Sequence, residues 1–104
     1  MAQALVTKAV QENLVMVFSK SYCPHCVRAK RILDAELGPS KYVIMELENR
    51  SDCPAIQDYL RQLTGARTVP RVFLKGTCIG GGAETAQLQK SGKLKQLLHQ
   101  IGAV

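Results

Sequence analysis

The sequence predicts an α/β fold: one domain over residues 1–104, built on a four-stranded mixed sheet with helices on both faces. Two observations carry this reading. A strand-like apolar run, Val15–Ser19, leads through a helical stretch, Pro24–Leu37, into a second strand-like run, Tyr42–Leu47. A βαβ unit of this kind gives a parallel pair with a right-handed crossover. Further along, Arg71–Leu74 and Thr77–Ile79 are separated only by Lys75-Gly76. That connection is too tight for anything but an antiparallel hairpin.

The elements follow in order. Ala2, Leu5, Val6, Ala9 and Val10 recur at helical spacing, so Gln3–Asn13 reads as a helix. Gly38-Pro39 ends the second helix as a turn. Ser51 or Asp52 is placed to cap a third helix, Pro54–Thr64, with Pro54 in its first turn and Gly65 as its stop. After the hairpin come two short helices, Glu84–Lys90 and Lys93–Ile101, parted by Ser91-Gly92. No repeat, low-complexity tract or linker is visible.

Composition narrows the function. At 46% hydrophobic with no long apolar run, the chain reads as soluble, with no membrane partner expected. Lys8, Gln11, Glu12 and Asn13 interrupt any signal-peptide core, and no Arg precedes Arg28, so neither a secretory nor a transit signal is expected. A reducing, cytoplasmic setting is the expectation, and there a close Cys pair is more often catalytic than structural. The net charge is +6, but Lys8, Lys20, Lys41, Arg50, Arg61 and Lys75 are scattered, and there are only five aromatic residues. Nucleic acid is not expected as a partner. Lys20, Arg28, Lys30, Arg67 and Arg71 lie near elements that would surround the Cys pair, and a positive field there would attract an anionic thiol substrate and stabilise thiolate.

That pair is Cys23-Pro24-His25-Cys26, at the junction of the first strand and the second helix. With Cys23 as N-cap, its sulfur meets free N–H groups and the positive end of the helix dipole, both of which favour thiolate. Cys26 falls one turn inward, less exposed and within disulfide reach. Pro24 falls at N1, where its missing N–H costs nothing. The competing reading is half of a zinc site, which needs a second short-spaced pair. Cys53 and Cys78 are isolated, so redox chemistry is favoured and no metal is expected. Cys78 reads as a small core hydrophobe. Cys53, near a helix N-terminus, is a candidate for an exposed reactive thiol open to glutathionylation or dimerisation. His99 reads as a surface residue.

The element order with this pair at the first strand–helix junction resembles the thioredoxin-like fold, and the finer motifs resemble a dithiol glutaredoxin. Thr64-Gly65-Ala66-Arg67-Thr68-Val69-Pro70 is similar to that family's TG-x-x-TVP segment, and Ile79-Gly80-Gly81 to its IGG turn. Lys20 stands three residues before the first cysteine, as in the family. Leu88-Gln89-Lys90-Ser91-Gly92 and Gln100-Ile101-Gly102-Ala103 are similar to vertebrate-type cytosolic members.

The resemblance implies a thioltransferase using glutathione as co-substrate, with glutathionylated and disulfide-containing proteins as partners, a glutathione reductase system behind it, and a monomeric state. It implies a cis Pro70 packed against the sulfurs, with Val69 offering its backbone to the cysteine moiety of glutathione. Lys20 and Gln57 would take the glycine carboxylate and Thr68 the peptide flank. Gly81, and the N–H groups of Gly82 and Ala83 at a helix start, would take the γ-glutamyl end. His25 adjoins the same site. Two departures stand out. Gly82-Ala83-Glu84 lacks the usual polar residue followed by Asp, so this edge is expected to be poorly capped. The Pro-His dipeptide replaces the common Pro-Tyr, and a protonated His25 would stabilise the Cys23 thiolate. Two alternatives remain. One is a glutathione-ligated [2Fe–2S] cluster shared by two subunits, which the stiffening Pro24 argues against. The other is a thioredoxin-like reductase, disfavoured because Tyr22 replaces the usual Trp.

Overall fold

The computed structural model describes residues 1–104. Five helices and four strands alternate: α1 (Ala2–Glu12), β1 (Val15–Ser19), α2 (Pro24–Leu37), β2 (Val43–Glu46), α3 (Cys53–Thr64), β3 (Arg71–Leu74), β4 (Thr77–Gly80), α4 (Gly82–Lys90) and α5 (Lys93–Gln100). The strands form one sheet in the order β2-β1-β3-β4. β1 runs parallel to β2 and antiparallel to β3, and β3 and β4 form the hairpin. The mixed four-stranded sheet is therefore the one the sequence predicts.

Period-two alternation in the inner strands builds two cores. Val15, Val17, Val72 and Leu74 point to one face, where they meet Ala29, Ile32 and Leu33 of α2 and Leu94 and Leu98 of α5. Met16, Phe18 and Phe73 point to the other, where Val6 and Val10 of α1 and Ile56 and Leu60 of α3 cover them. Phe18 and Phe73 meet edge to face, with ring centroids 5.7 Å apart. Every residue of β1 and β3 is buried, so β1 is a rigid mount for whatever follows its last residue.

Element boundaries differ from the sequence reading at several ends. β2 is a residue shorter at each side, and α1 and α3 each begin one residue earlier. The larger difference is α4, which starts at Gly82 rather than Glu84. Neither Gly82 nor Ala83 carries a capping oxygen. The cap comes from inside the helix: Glu84 at N3 reaches back and accepts the N–H of Gly81 at 2.6 Å. No side chain caps the first N–H groups of α4 itself, as Ala83 and Glu84 led one to expect; Glu84 holds the Gly81 N–H that precedes them. No helix is long and apolar enough to cross a membrane.

Candidate active site

β1 ends at Ser19, and the chain turns through Lys20–Tyr22 into α2. The Cys23 N–H closes this turn onto the Lys20 carbonyl at 3.1 Å. From the end of β2, Glu48 steadies it, accepting the Ser21 N–H at 3.2 Å and the Ser21 hydroxyl. Cys23 is the N-cap of α2 and Pro24 its N1 residue, as the spacing requires.

The two sulfurs occupy contrasting places. Cys23 is half-buried and Cys26 fully buried. No close cap bond is made by the Cys23 thiol, which lies toward the Val69 carbonyl at 3.9 Å. Burial raises its pKa, but the N–H and thiol of Cys26, the N–H of His25 and the charge of Lys20 together bring it below the ordinary thiol value. Burial raises the Cys26 pKa and prevails, although the Lys20 N–H, at 3.4 Å from the sulfur, and the Ser19 hydroxyl pull the other way. The two thiols are thus shifted in opposite directions, Cys23 toward thiolate and Cys26 away from it.

Ser19 was not singled out from sequence. Its hydroxyl is fully buried and makes no hydrogen bond, to sulfur or otherwise. By the alternation of β1 it lies on the same face as Val15 and Val17, and it is among the groups that draw the Cys26 pKa down. The signal was there: a polar residue closing an otherwise apolar strand.

Opposite the sulfurs, the Val69–Pro70 peptide is cis and Pro70 is buried. The glycine run closes a third side. A Cβ on Gly81 would stand 2.8 Å from Arg71 Nη2 and 3.2 Å from the Pro70 carbonyl, and one on Gly82 only 2.9 Å from the His25 carbonyl. These glycines are sites of close approach rather than a slack turn. Lys20, Cys23, His25, Cys26, Val69, Pro70, Gly81 and Gly82 are therefore brought together. Ala83 is exposed on the first turn of α4, and Thr68 is exposed beside Val69.

Gln57 and Cys53 engage each other. Gln57 is 8% exposed, with its amide donating to the Arg67 carbonyl at 3.0 Å and its oxygen accepting from the Cys53 thiol at 3.3 Å. A buried amide must satisfy both ends, so Gln57 holds the segment before Val69 and keeps one N–H for a ligand. Cys53 is accordingly half-buried and engaged rather than an open thiol. The exposed imidazole of His25 is absent from the groups that lower the Cys23 pKa; its backbone N–H is the part that acts.

Comparison with known proteins agrees with this geometry. The glutaredoxin family model matches residues 15–79. Glutaredoxin-1 of Homo sapiens is 47% identical, covering 100% of this chain and 99% of its own. Glutaredoxin-C2 of Arabidopsis thaliana is 46% identical, covering 100% and 92%. The crystal structure of oxidized glutaredoxin 2 from Chlamydomonas reinhardtii superposes with a TM-score of 0.96 at 48% identity, covering 99% of this chain and 95% of that one. The buckwheat glutaredoxin–glutathione complex gives 0.92 at 40%, covering 100% and 93%. With a family match over most of the sheet and relatives alike end to end, this chain belongs to the glutaredoxin family of thiol–disulfide oxidoreductases.

Proposed function

We propose that the chain reduces glutathione mixed disulfides and protein disulfides through Cys23 and Cys26. One observation carries the reading: Cys23 stands half-buried at the N-cap of α2 and Cys26 fully buried a turn inward, a placement that shifts the first toward thiolate and the second away from it. Thiolate is the attacking form, and its access decides which sulfur starts the reaction.

In the first step the Cys23 thiolate attacks the glutathione sulfur of a protein mixed disulfide. The old S–S bond breaks, a Cys23–glutathione disulfide forms, and the protein departs as a thiolate that takes a proton from water. A second glutathione thiolate attacks the bound glutathione sulfur, giving glutathione disulfide and restoring Cys23. With a protein disulfide, Cys23 forms the mixed disulfide with the substrate. Cys26 then loses its proton and attacks the Cys23 sulfur, closing Cys23–Cys26 and releasing the substrate dithiol. Two glutathione molecules reduce that disulfide in turn.

Glutathione in this reading lies along Val69, whose N–H and C=O pair with its cysteine residue as a short added strand. Lys20 and the remaining Gln57 N–H receive the glycine carboxylate, with Thr68 on the flank. Gly81 and the first N–H groups of α4, at Gly82 and Ala83, receive the γ-glutamyl carboxylate, since helix starts suit anions. The buckwheat relative was solved in complex with glutathione, which supports the choice of ligand. A reducing, cytoplasmic pool of glutathione is the setting such a cycle needs, and each step uses one copy of the chain.

The test is a coupled assay with glutathione, glutathione reductase and NADPH. Cys23→Ser is expected to abolish every activity. Cys26→Ser is expected to keep mixed-disulfide reduction and lose most protein-disulfide reduction. Equal loss in both variants on both substrates would overturn the assignment.

A further inference from the structure

Beyond Lys20, which stands beside Cys23, the cations near the redox pair prove unequal. Lys30 is paired with Glu46 at 2.8 Å and Arg67 with Asp58 at 3.3 Å. Arg71 is buried, its Nε donating to the Pro70 carbonyl. Arg28 is exposed and in no ion pair. It lines a groove of about 600 Å³ between α2 and α4, together with Arg31 and Lys90, which are also exposed and unpaired. No carboxylate lines this groove, and Ile32 and Ala86 supply apolar floor. At its rim stands Tyr22, 69% exposed and next to Cys23. None of its lining residues is among those assigned to glutathione.

We propose that this groove docks an acidic segment of the protein substrate, with carboxylates within about four residues of the reacting cysteine. The proposal rests on Cys23 as the attacking thiol, because its reaction brings the substrate's cysteine to this rim, as the leaving thiol of a glutathionylated protein or as the partner of Cys23 when a protein disulfide is opened. Pro24 to Arg31 spans about 10 Å of helix, the reach of about three extended residues. Arg28 lies midway. A substrate strand running from the reacting cysteine beside Cys23 over Tyr22 therefore passes Arg28 and ends between Arg31 and Lys90. Three unpaired cations reward carboxylates along that path and repel a basic segment. Charges of this rim type act chiefly on the rate of encounter and on the choice of partner.

The test compares three glutathionylated substrates: free cysteine, a nonapeptide with Glu on both sides of its central cysteine, and the same peptide with Lys instead. Two triple variants are made, Arg28→Glu/Arg31→Glu/Lys90→Glu and, as control, Lys8→Glu/Lys41→Glu/Arg61→Glu. Each takes the net charge from +6 to zero, and the control residues are exposed, on or near α1, β2 and α3. In the groove variant, kcat/KM for the acidic peptide is expected to fall about tenfold or more at low salt. It should rise for the basic peptide and hold for glutathionylated cysteine. The control variant should change the peptides much less. Equal changes in both variants would reduce the effect to net charge and overturn the proposal. A raised KM for glutathione itself in the groove variant would also overturn it, by making the groove the seat of the reducing glutathione. Loss of all turnover in Cys23→Ser remains the separate check on the attacking thiol. If the charge-reversed groove variant fails to fold, Arg28→Gln/Arg31→Gln/Lys90→Gln should show a smaller change of the same sign.

Discussion

At the scale of single residues, the sulfurs are governed by a few neighbours that can be removed one at a time. Lys20 lowers the Cys23 pKa by its charge. Lys20→Gln removes a cation that favours thiolate, so the pH profile of Cys23 alkylation should move toward alkali; a Cys26→Ser background leaves one active-site thiol to follow. His25→Tyr keeps the backbone N–H that does the work and discards only an exposed ring, so the same profile should stay in place. Ser19→Ala acts on the other thiol. It removes a buried hydroxyl that draws the Cys26 pKa down, so protein-disulfide reduction should slow near neutral pH and recover as pH rises. Mixed-disulfide reduction, which needs Cys23 alone, should be unchanged. A uniform loss on both substrates would mean that Ser19 serves folding only. The placement of the Cys pair, one sulfur at the N-cap and the other buried a turn inward, was legible in sequence because spacing alone sets N-cap and N3. Ser19 and the true engagement of Gln57 were not, because a contact between β1 and α2, or between α3 and the loop before β3, leaves no local pattern.

At the scale of elements, the start of α4 shows how little slack the site has. A methyl group at Gly82 would press on the His25 carbonyl, which is backbone and cannot swing aside. Gly82→Ala should cost about 1–3 kcal/mol as overpacking, read from the denaturant midpoint, and should raise the KM for glutathionylated substrate. Glu84 can be tested through pH. The Gly81 N–H, its own backbone N–H and the Arg71 charge outweigh burial and hold its carboxyl below the usual range. A carboxyl depressed by folding adds stability that is present above its unfolded pKa and is lost as pH falls through the folded value. Glu84→Gln should therefore be less stable than the parent at neutral pH and converge with it in acid; a constant gap across pH would mean that the charge contributes nothing. β1, β3 and the hairpin were legible because apolar runs and a two-residue turn admit one reading. The first residues of α4 were not, because Gly82 and Ala83 give no capping signal and the cap is supplied by a residue further on.

Across the whole molecule, the sheet divides the interior into two apolar clusters that share no residue. Ile32→Val on one side and Ile56→Val on the other should each cost about 0.5–1.5 kcal/mol, and the double variant should show their sum within about 0.5 kcal/mol. A coupling well beyond that would mean that the sheet transmits strain between the two sides. The four thiols are likewise spread over both sides, in four different settings. Cys26 is sealed, Cys53 donates to Gln57, Cys78 is packed against Phe73 and its neighbours, and Cys23 is half-buried at a helix start with its pKa drawn below the ordinary thiol value. An electrophile or peroxide meeting the folded protein should therefore modify one sulfur of four, and peptide mass mapping after a limiting dose should find the first adduct at Cys23. A sulfenic acid formed there condenses with Cys26 to a disulfide that glutathione can reduce. A first oxidation at Cys23 would thus fall at the one position from which the proposed catalytic cycle itself recovers.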